Sequence, residues 1–308
     1  MSGPATIADD AIEPVAAASP HPATVELFDS REAVVGALTV QRALPQRTRR
    51  TVGAWCFLDH AGPVSSAEAG AGIGPHPHIG LQTVTWVLSG EFLHRDSLGS
   101  EQLIRPGELN LMTAGHGIVH AEERIGTSPT HIAQLWVAQP AATRDGAPAF
   151  EHHDDLPRVE LDDAVATVLV GQLGDACSPA RRDTDHVGAD VALRGGATIP
   201  LRATDEHVIV PLEGVIEADG RAVGPTRLAY FPPGRDEVEL RAPDGARLLL
   251  LGGIPFEERI LMWWNYVART REEITEAHAA WTSRRDRFGI PPSKLSSIDV
   301  PPPPWARD

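Results

Sequence analysis

From Val25 to about Leu251 the chain is written as short apolar or alternating runs, each cut off by Gly, Pro or Asp. Runs of this length suit strands and are too short for packed helices, so the pattern predicts an all-β fold of sandwiches or barrels. The clearest run is Thr83-Val84-Thr85-Trp86-Val87-Leu88, followed by a tight turn at Ser89-Gly90 and a return strand over Glu91-Phe92-Leu93-His94. Arg105-Pro106-Gly107-Glu108 is a turn, Leu109 to Thr113 a strand, and Ala114-Gly115-His116-Gly117 a second turn before Ile118-Val119-His120.

The second half repeats the first in outline. Val208-Ile209-Val210-Pro211-Leu212-Glu213-Gly214 parallels Val84 to Gly90, which sets Pro200 and Arg202 against His76 and His78. Pro232-Pro233-Gly234 matches the turn before His120, with Glu237 after it. The copies meet near 139–158, where Glu151-His152-His153-Asp154-Asp155 is expected to be a polar, solvent-exposed loop. Near the end, Thr270-Arg271-Glu272-Glu273 has capping-box form, and Ile274, His278, Trp281 and Phe288 follow near helical spacing. Gly289 and Pro291-Pro292 are expected to stop this helix. It should pack over a barrel, with His278 inside its apolar face.

Only the first copy carries a polar constellation. His76-Pro77-His78 and His120-Ala121-Glu122 each have i, i+2 spacing, which on a strand turns both residues to one face. Two such strands side by side would aim three imidazoles and a carboxylate at one point. Imidazole suits iron, nickel, copper or zinc, and the carboxylate leans toward a hard divalent ion. A structural zinc site would more often use thiolates. His116 could line the entrance, His94 and Asp96 follow a hairpin and suggest a structural role, and Asp59-His60 has no evident role.

The balance of charges narrows the function. A formal net charge of −15 over 308 residues repels phosphate backbones, which argues against direct nucleic-acid binding. The Arg47, Arg49, Arg50 and Arg284, Arg285, Arg287 clusters suggest solvated surface. No apolar run approaches a membrane span. Asp9, Asp10 and Glu13 replace the basic start of a secretory signal. Cys56, in an apolar run, and Cys177 are too few for a disulfide scaffold, so a cytoplasmic location is expected. Residues 1–24, rich in Ala, Pro and Ser, are expected to be a disordered tail. No Gly-rich dinucleotide loop opens a helix, so no cofactor beyond a metal is expected.

These residues support a family name. The order His-Pro-His, strand, turn, "EFLHRDSLGS" and "RPGELNLMTAGHGIVHAEE" resembles the pirin family of the cupin superfamily. The likeness starts upstream at "RALPQRTRRTVGAWCFLDHAGPV" and continues through "LVGQLGDACSP" and "GGIPFEERI". It implies two cupin (double-stranded β-helix) barrels in tandem with a C-terminal helix. The expected parts are a tail over 1–24, a metal-bearing barrel over 25–146, a barrel without ligands over 147–266, and the helix with an extended tail over 267–308.

The resemblance further implies that His76, His78, His120 and Glu122 bind one Fe(II), other divalent ions being open, with Glu122 also serving catalysis. It implies a quercetin 2,3-dioxygenase-like enzyme taking a small aromatic flavonol, enol or catechol with O2. Regulators that bind a protein partner are the family's other role, and a metal that merely braces the barrel is the third reading. A monomer is expected. Two departures stand out. Ile79-Gly80-Leu81-Gln82 replaces the Arg-Gly-Phe-Glu frequent after His-Pro-His, removing a carboxylate that could act as base. "LMWWNYVARTREEI" also differs, marking a distinct subgroup.

Overall fold

In the computed structural model, which describes residues 24–284 and 287–306, the short runs are antiparallel strands of two successive barrels. The tail expected over 1–24 lies outside the described residues except for Thr24, as does Arg285. Each barrel joins a seven-stranded sheet to a four-stranded one. The larger sheet of the first runs Ala149–His153, Leu109–Thr113, Leu81–Ser89, Thr130–Ala138, Trp55–Val64, Leu38–Leu44, Arg31–Val35. That of the second runs Glu26–Asp29, Arg227–Phe231, Glu206–Glu213, Ala246–Gly253, His186–Leu193, Ala164–Val170, Arg158–Leu161. The two orders correspond strand for strand, which is the duplication read from the sequence.

The outermost strands are exchanged. Glu26–Asp29 precedes the first barrel in the chain but pairs with Arg227–Phe231 of the second. Ala149–His153 precedes the second but pairs with Leu109–Thr113 of the first. His152 and His153 therefore lie half-buried on a sheet edge and not in the exposed loop expected. The polar run is held there by backbone pairing and by His152 Nδ1, 2.8 Å from Asn110 Oδ1.

The large sheets pack face to face. Trp55, Trp86, Leu111 and Leu135 share one buried cluster with Val208, Val210, Leu249 and Leu251. Both indoles also bridge the barrels, Trp55 Nε1 donating to the Val187 carbonyl at 2.9 Å and Trp86 Nε1 to the Asp190 carboxylate at 3.1 Å. The second barrel is filled with aliphatic side chains, among them Ile199, Ile209, Val238 and Leu240. Where the first barrel faces His76 with His120, the second faces Ile199 with Val238. The alignment of Pro200 and Arg202 with the histidines does not follow this register. Pro200 pairs with Glu237 at the strand end, and Arg202 lies beyond it, bonded to Asp205.

The C-terminal helix spans Arg271–Thr282, shorter than expected. Thr270 Oγ1 accepts from Glu273 N at 3.2 Å, but the Glu273 carboxylate turns to Arg269 N and Arg144 and leaves the capping box half made. Ser283 Oγ caps the Ala279 carbonyl at 2.6 Å and Arg284 takes a left-handed φ of 53°, so the helix ends well before Gly289. Its buried face, Ile274, Ala277 and Trp281, covers Ile79 and Val119 of the first barrel, and Phe288 joins that cluster after the helix has ended. His278 is half-buried with Nε2 donating to the Val300 carbonyl at 3.1 Å. Among the described residues no helix is long and apolar enough to cross a membrane.

Candidate metal centre

The strands Gly72–His78 and Ile118–Ile125 pair antiparallel with His76 opposite His120, then slip register before Glu122 meets Ile73. The slip is a bulge at Gly74-Pro75, a device that re-aims neighbouring side chains. Gly74 is required there, since a Cβ would stand 2.0 Å from the Ser296 carbonyl oxygen of the returning tail.

His76, His78 and His120 converge, with one donor nitrogen from each lying within 4.8 Å of the others. His78 Nε2 and His120 Nε2 are 3.1 Å apart. Nitrogens bonded to one ion at about 2.1 Å each and at right angles would stand about 3 Å apart, so the donor pair fits a single ion. Burial lowers the His76 pKa to about 4 and pushes those of His78 and His120 well below the ordinary range, neighbouring imidazoles adding to the effect. At neutral pH the three rings are neutral and keep their lone pairs.

Hydrogen bonds choose which nitrogen is free. His76 Nδ1 donates to the Gly74 carbonyl at 2.8 Å, which leaves Nε2 as the donor to an ion. His94 Nε2 lies 3.1 Å from Asp96 Oδ2, while Asp96 Oδ1 accepts from Leu98 N and Ser100 N at 2.9 and 3.0 Å. With its Nε2–H given to Asp96, His94 presents an acceptor Nδ1 to His120 Nδ1, 3.4 Å away. The chain Asp96–His94–His120 thus leaves the His120 Nε2 lone pair facing the cluster. His94 and Asp96 do more than support the hairpin. The signal was their own i, i+2 spacing on the strand paired with His120.

Glu122 is buried in the same cavity but stands outside the set formed by the three histidines. Burial raises its carboxyl pKa, partly offset by the nearby His94 and by the Thr85 hydroxyl, which donates to Oε1 at 3.0 Å. Thr85 was not anticipated. Gln82 lies on the opposite face of that strand from Thr85, with Val84 and Trp86, and its Nε2 donates to Thr113 Oγ1 at 3.0 Å. The departure at Gln82 therefore bears on the barrel interface and not on this site. His116 is exposed, bonded to the Gly146 carbonyl at 3.0 Å, and does not line the cavity.

The cavity above the histidines measures about 590 Å³. Phe57 and Trp136, stacked at 3.9 Å and 14°, form part of its wall with Phe92 and Ile132. The Trp136 ring also meets His78 edge-on at 5.5 Å. Asp59, which had no evident role in the sequence, accepts two 2.7 Å bonds from Arg42, whose guanidinium lies 4.7 Å from the Phe57 centroid. His60 turns the other way, its Nε2 2.7 Å from His131 Nε2. Cys56 is fully buried and its thiol is pushed up to about 12 by burial, which makes it unreactive packing.

The remaining wall comes from outside the barrel. A hairpin of Leu261–Trp263 and Tyr266–Ala268 brings Met262, Trp264 and Asn265 to the cavity. Val267 N donates to the Ile79 carbonyl at 3.1 Å, one residue after His78. Gly80 permits this approach: its φ is +66°, and a Cβ would fall 2.1 Å from the Val267 carbonyl oxygen.

Comparison with known proteins bears on the family and the fold. A family model described as Pirin matches residues 37–137, and one described as Pirin C-terminal cupin domain matches residues 188–289. A Pseudomonas aeruginosa protein named "putative quercetin 2,3-dioxygenase" is 46% identical over 94% of this chain and 93% of its own length. A pirin-like protein of Caulobacter vibrioides is 35% identical over 84% of this chain and 93% of its own. Among solved structures, a quercetin 2,3-dioxygenase from Acinetobacter baumannii superposes with a TM-score of 0.88 at 44% identity, covering 92% of this chain and 97% of that one.

Proposed function

The chain belongs to the pirin family, and on that premise we propose that its first barrel is an iron-dependent dioxygenase site for a planar enol or catechol of the flavonol kind. One observation carries the proposal: a cavity of about 590 Å³ ends on three buried neutral imidazoles and a carboxylate. A metal that only braces a barrel needs no such access, and neither does a redox state read from the surface by a partner.

His76, His78 and His120 would hold the ion, and their chemistry suits Fe(II) without excluding other divalent metals. Such an ion, when bound, supplies Lewis acidity toward a hydroxyl and a redox centre for O2. Glu122 has two roles open to it. Released from Thr85, it would supply a fourth ligand. Held by Thr85 through Oε1, it keeps Oε2 to accept the substrate's hydroxyl proton, and its raised pKa suits that role. Phe57, Trp136, Phe92 and Ile132 keep water from the reacting face.

The test is O2 uptake by the Fe(II)-loaded chain with quercetin, beside His120→Ala. Quercetin-dependent uptake that vanishes in the variant is expected. A chain that binds iron stoichiometrically and consumes no O2 with quercetin would sink the flavonol reading.

A further inference from the structure

The part of the cavity wall least expected from the barrel is the tip of the Leu261–Ala268 hairpin. Trp264 and Asn265 are its two turn residues, between the paired Trp263 and Tyr266. Trp264 has a φ of +54°. A positive φ at the first central position of a two-residue hairpin ordinarily calls for glycine, and for a bulky side chain it is an outlier. Such strain persists where the surroundings enforce it, and it concentrates at ligand clamps.

The surroundings enforce it here. The hairpin is locked to the His-Pro-His strand by the Val267-to-Ile79 bond and by the Ile79–Tyr266 bridge, with Gly80 giving the room. Trp264 packs against the cluster under the C-terminal helix and also lines the cavity. Both turn residues are half-buried, so each keeps surface toward the open space. The Asn265 backbone carbonyl lies toward the His78 ring, while its side-chain amide has no partner among the described residues. Phe57, stacked on Trp136, supplies aromatic surface elsewhere in the same wall.

We infer that Trp264 and Asn265 are specificity-determining residues. Trp264 is the stacking platform for a planar aromatic substrate, and the Asn265 amide is the hydrogen-bonding group for an oxygen on that substrate beside His78. The inference rests on reading this cavity as a substrate site. It assigns selection to an element outside the metal-bearing barrel, the hairpin that carries Met262, Trp264 and Asn265 to the cavity. A rigid indole offers a large contact area at small entropic cost, and an amide can serve as donor or acceptor.

The test separates binding from turnover. Binding of quercetin to the full-length, Fe(II)-loaded chain is measured by anaerobic equilibrium dialysis, alongside thermal melting. Glycine adopts the left-handed φ freely, so Trp264→Gly removes the ring and relaxes the turn together. The Kd should rise about tenfold in Trp264→Gly, the loss that ring stacking typically represents, and several-fold in Asn265→Ala. Trp264→Phe should stay within about threefold of the parent, because a smaller ring still stacks. Tm should hold or rise in the glycine variant.

A Tm that falls with Kd unchanged would make Trp264 mere packing and overturn the inference, as would a parent chain that does not bind quercetin. Binding that depends on Trp264 without O2 uptake would uphold these two residues and overturn only the dioxygenase chemistry.

Discussion

His120 is the best-supported imidazole of the cluster, because Asp96 and His94 together dictate which of its nitrogens stays free. Asp96→Asn replaces a carboxylate acceptor with an amide that can donate, which releases the His94 tautomer. Metal affinity should then fall about 10- to 100-fold, as is usual when support of a ligand is lost. Competition against a chelator reads this directly, and unchanged affinity would remove Asp96 from the support of the site. Glu122→Gln makes the opposite separation. Three histidines remain, so the variant should keep one metal per chain by elemental analysis. Turnover should drop at least about 100-fold for want of a proton acceptor. Loss of metal together with activity would instead make Glu122 a required ligand. The histidine pairs were legible because strand geometry turns i and i+2 to one face. Thr85 was not, since a threonine in a β run is an ordinary strand residue until the pairing brings its hydroxyl to Glu122.

The hairpin Leu261–Ala268 and the two exchanged strands are held by contacts between segments far apart in the chain. Gly80 and Gly107 both have positive φ, but a Cβ at Gly107 meets nothing within 4 Å whereas one at Gly80 meets the Val267 carbonyl oxygen at 2.1 Å. Gly107→Ala should cost about 1–2 kcal/mol of backbone strain alone. Gly80→Ala should cost clearly more and speed hydrogen exchange at the Val267 amide, since the hairpin has to lift from Ile79. Equal melting temperatures for the two variants would mean that the hairpin is not anchored there. Turn residues and alternation mark the individual strands well: the turns over 105–108 and 114–117 bound the strand Leu109–Thr113 at both ends. The pairing of Glu26–Asp29 with the second barrel was not readable, because alternation names a strand's faces and not its neighbour. The helix end failed for a related reason. Ser283 is a weak stop signal in sequence, but in place its hydroxyl takes the Ala279 carbonyl.

Across both barrels, burial holds several histidines neutral. His60, His186 and His207 are each depressed to about 4, all mainly by burial. Unfolding returns them to ordinary values near 6.5, so between 6.5 and 4 the unfolded chain binds more protons and stability rises with pH. The contribution is fully present above about 6.5 and is lost as pH falls toward 4, each group on the order of 1–3 kcal/mol. The metal-free chain should therefore melt at steadily lower temperature across that window and be flat from pH 7 to 8. A Tm independent of pH between 6.5 and 4 would contradict the buried neutral state.

Local rules were enough for the all-β class, the duplicated barrels, the terminal helix and three converging histidines, because periodicity, turn chemistry and i, i+2 spacing operate within a few residues. What lay beyond them was assembled between distant segments. Asp96 steadies His120 from a neighbouring strand. Thr85 reaches Glu122 across the barrel, and a hairpin beginning about 180 residues after His78 in the chain closes the cavity over it. Such contacts arise from burial and backbone pairing, which act on distance in space, and a one-dimensional pattern holds no record of that distance.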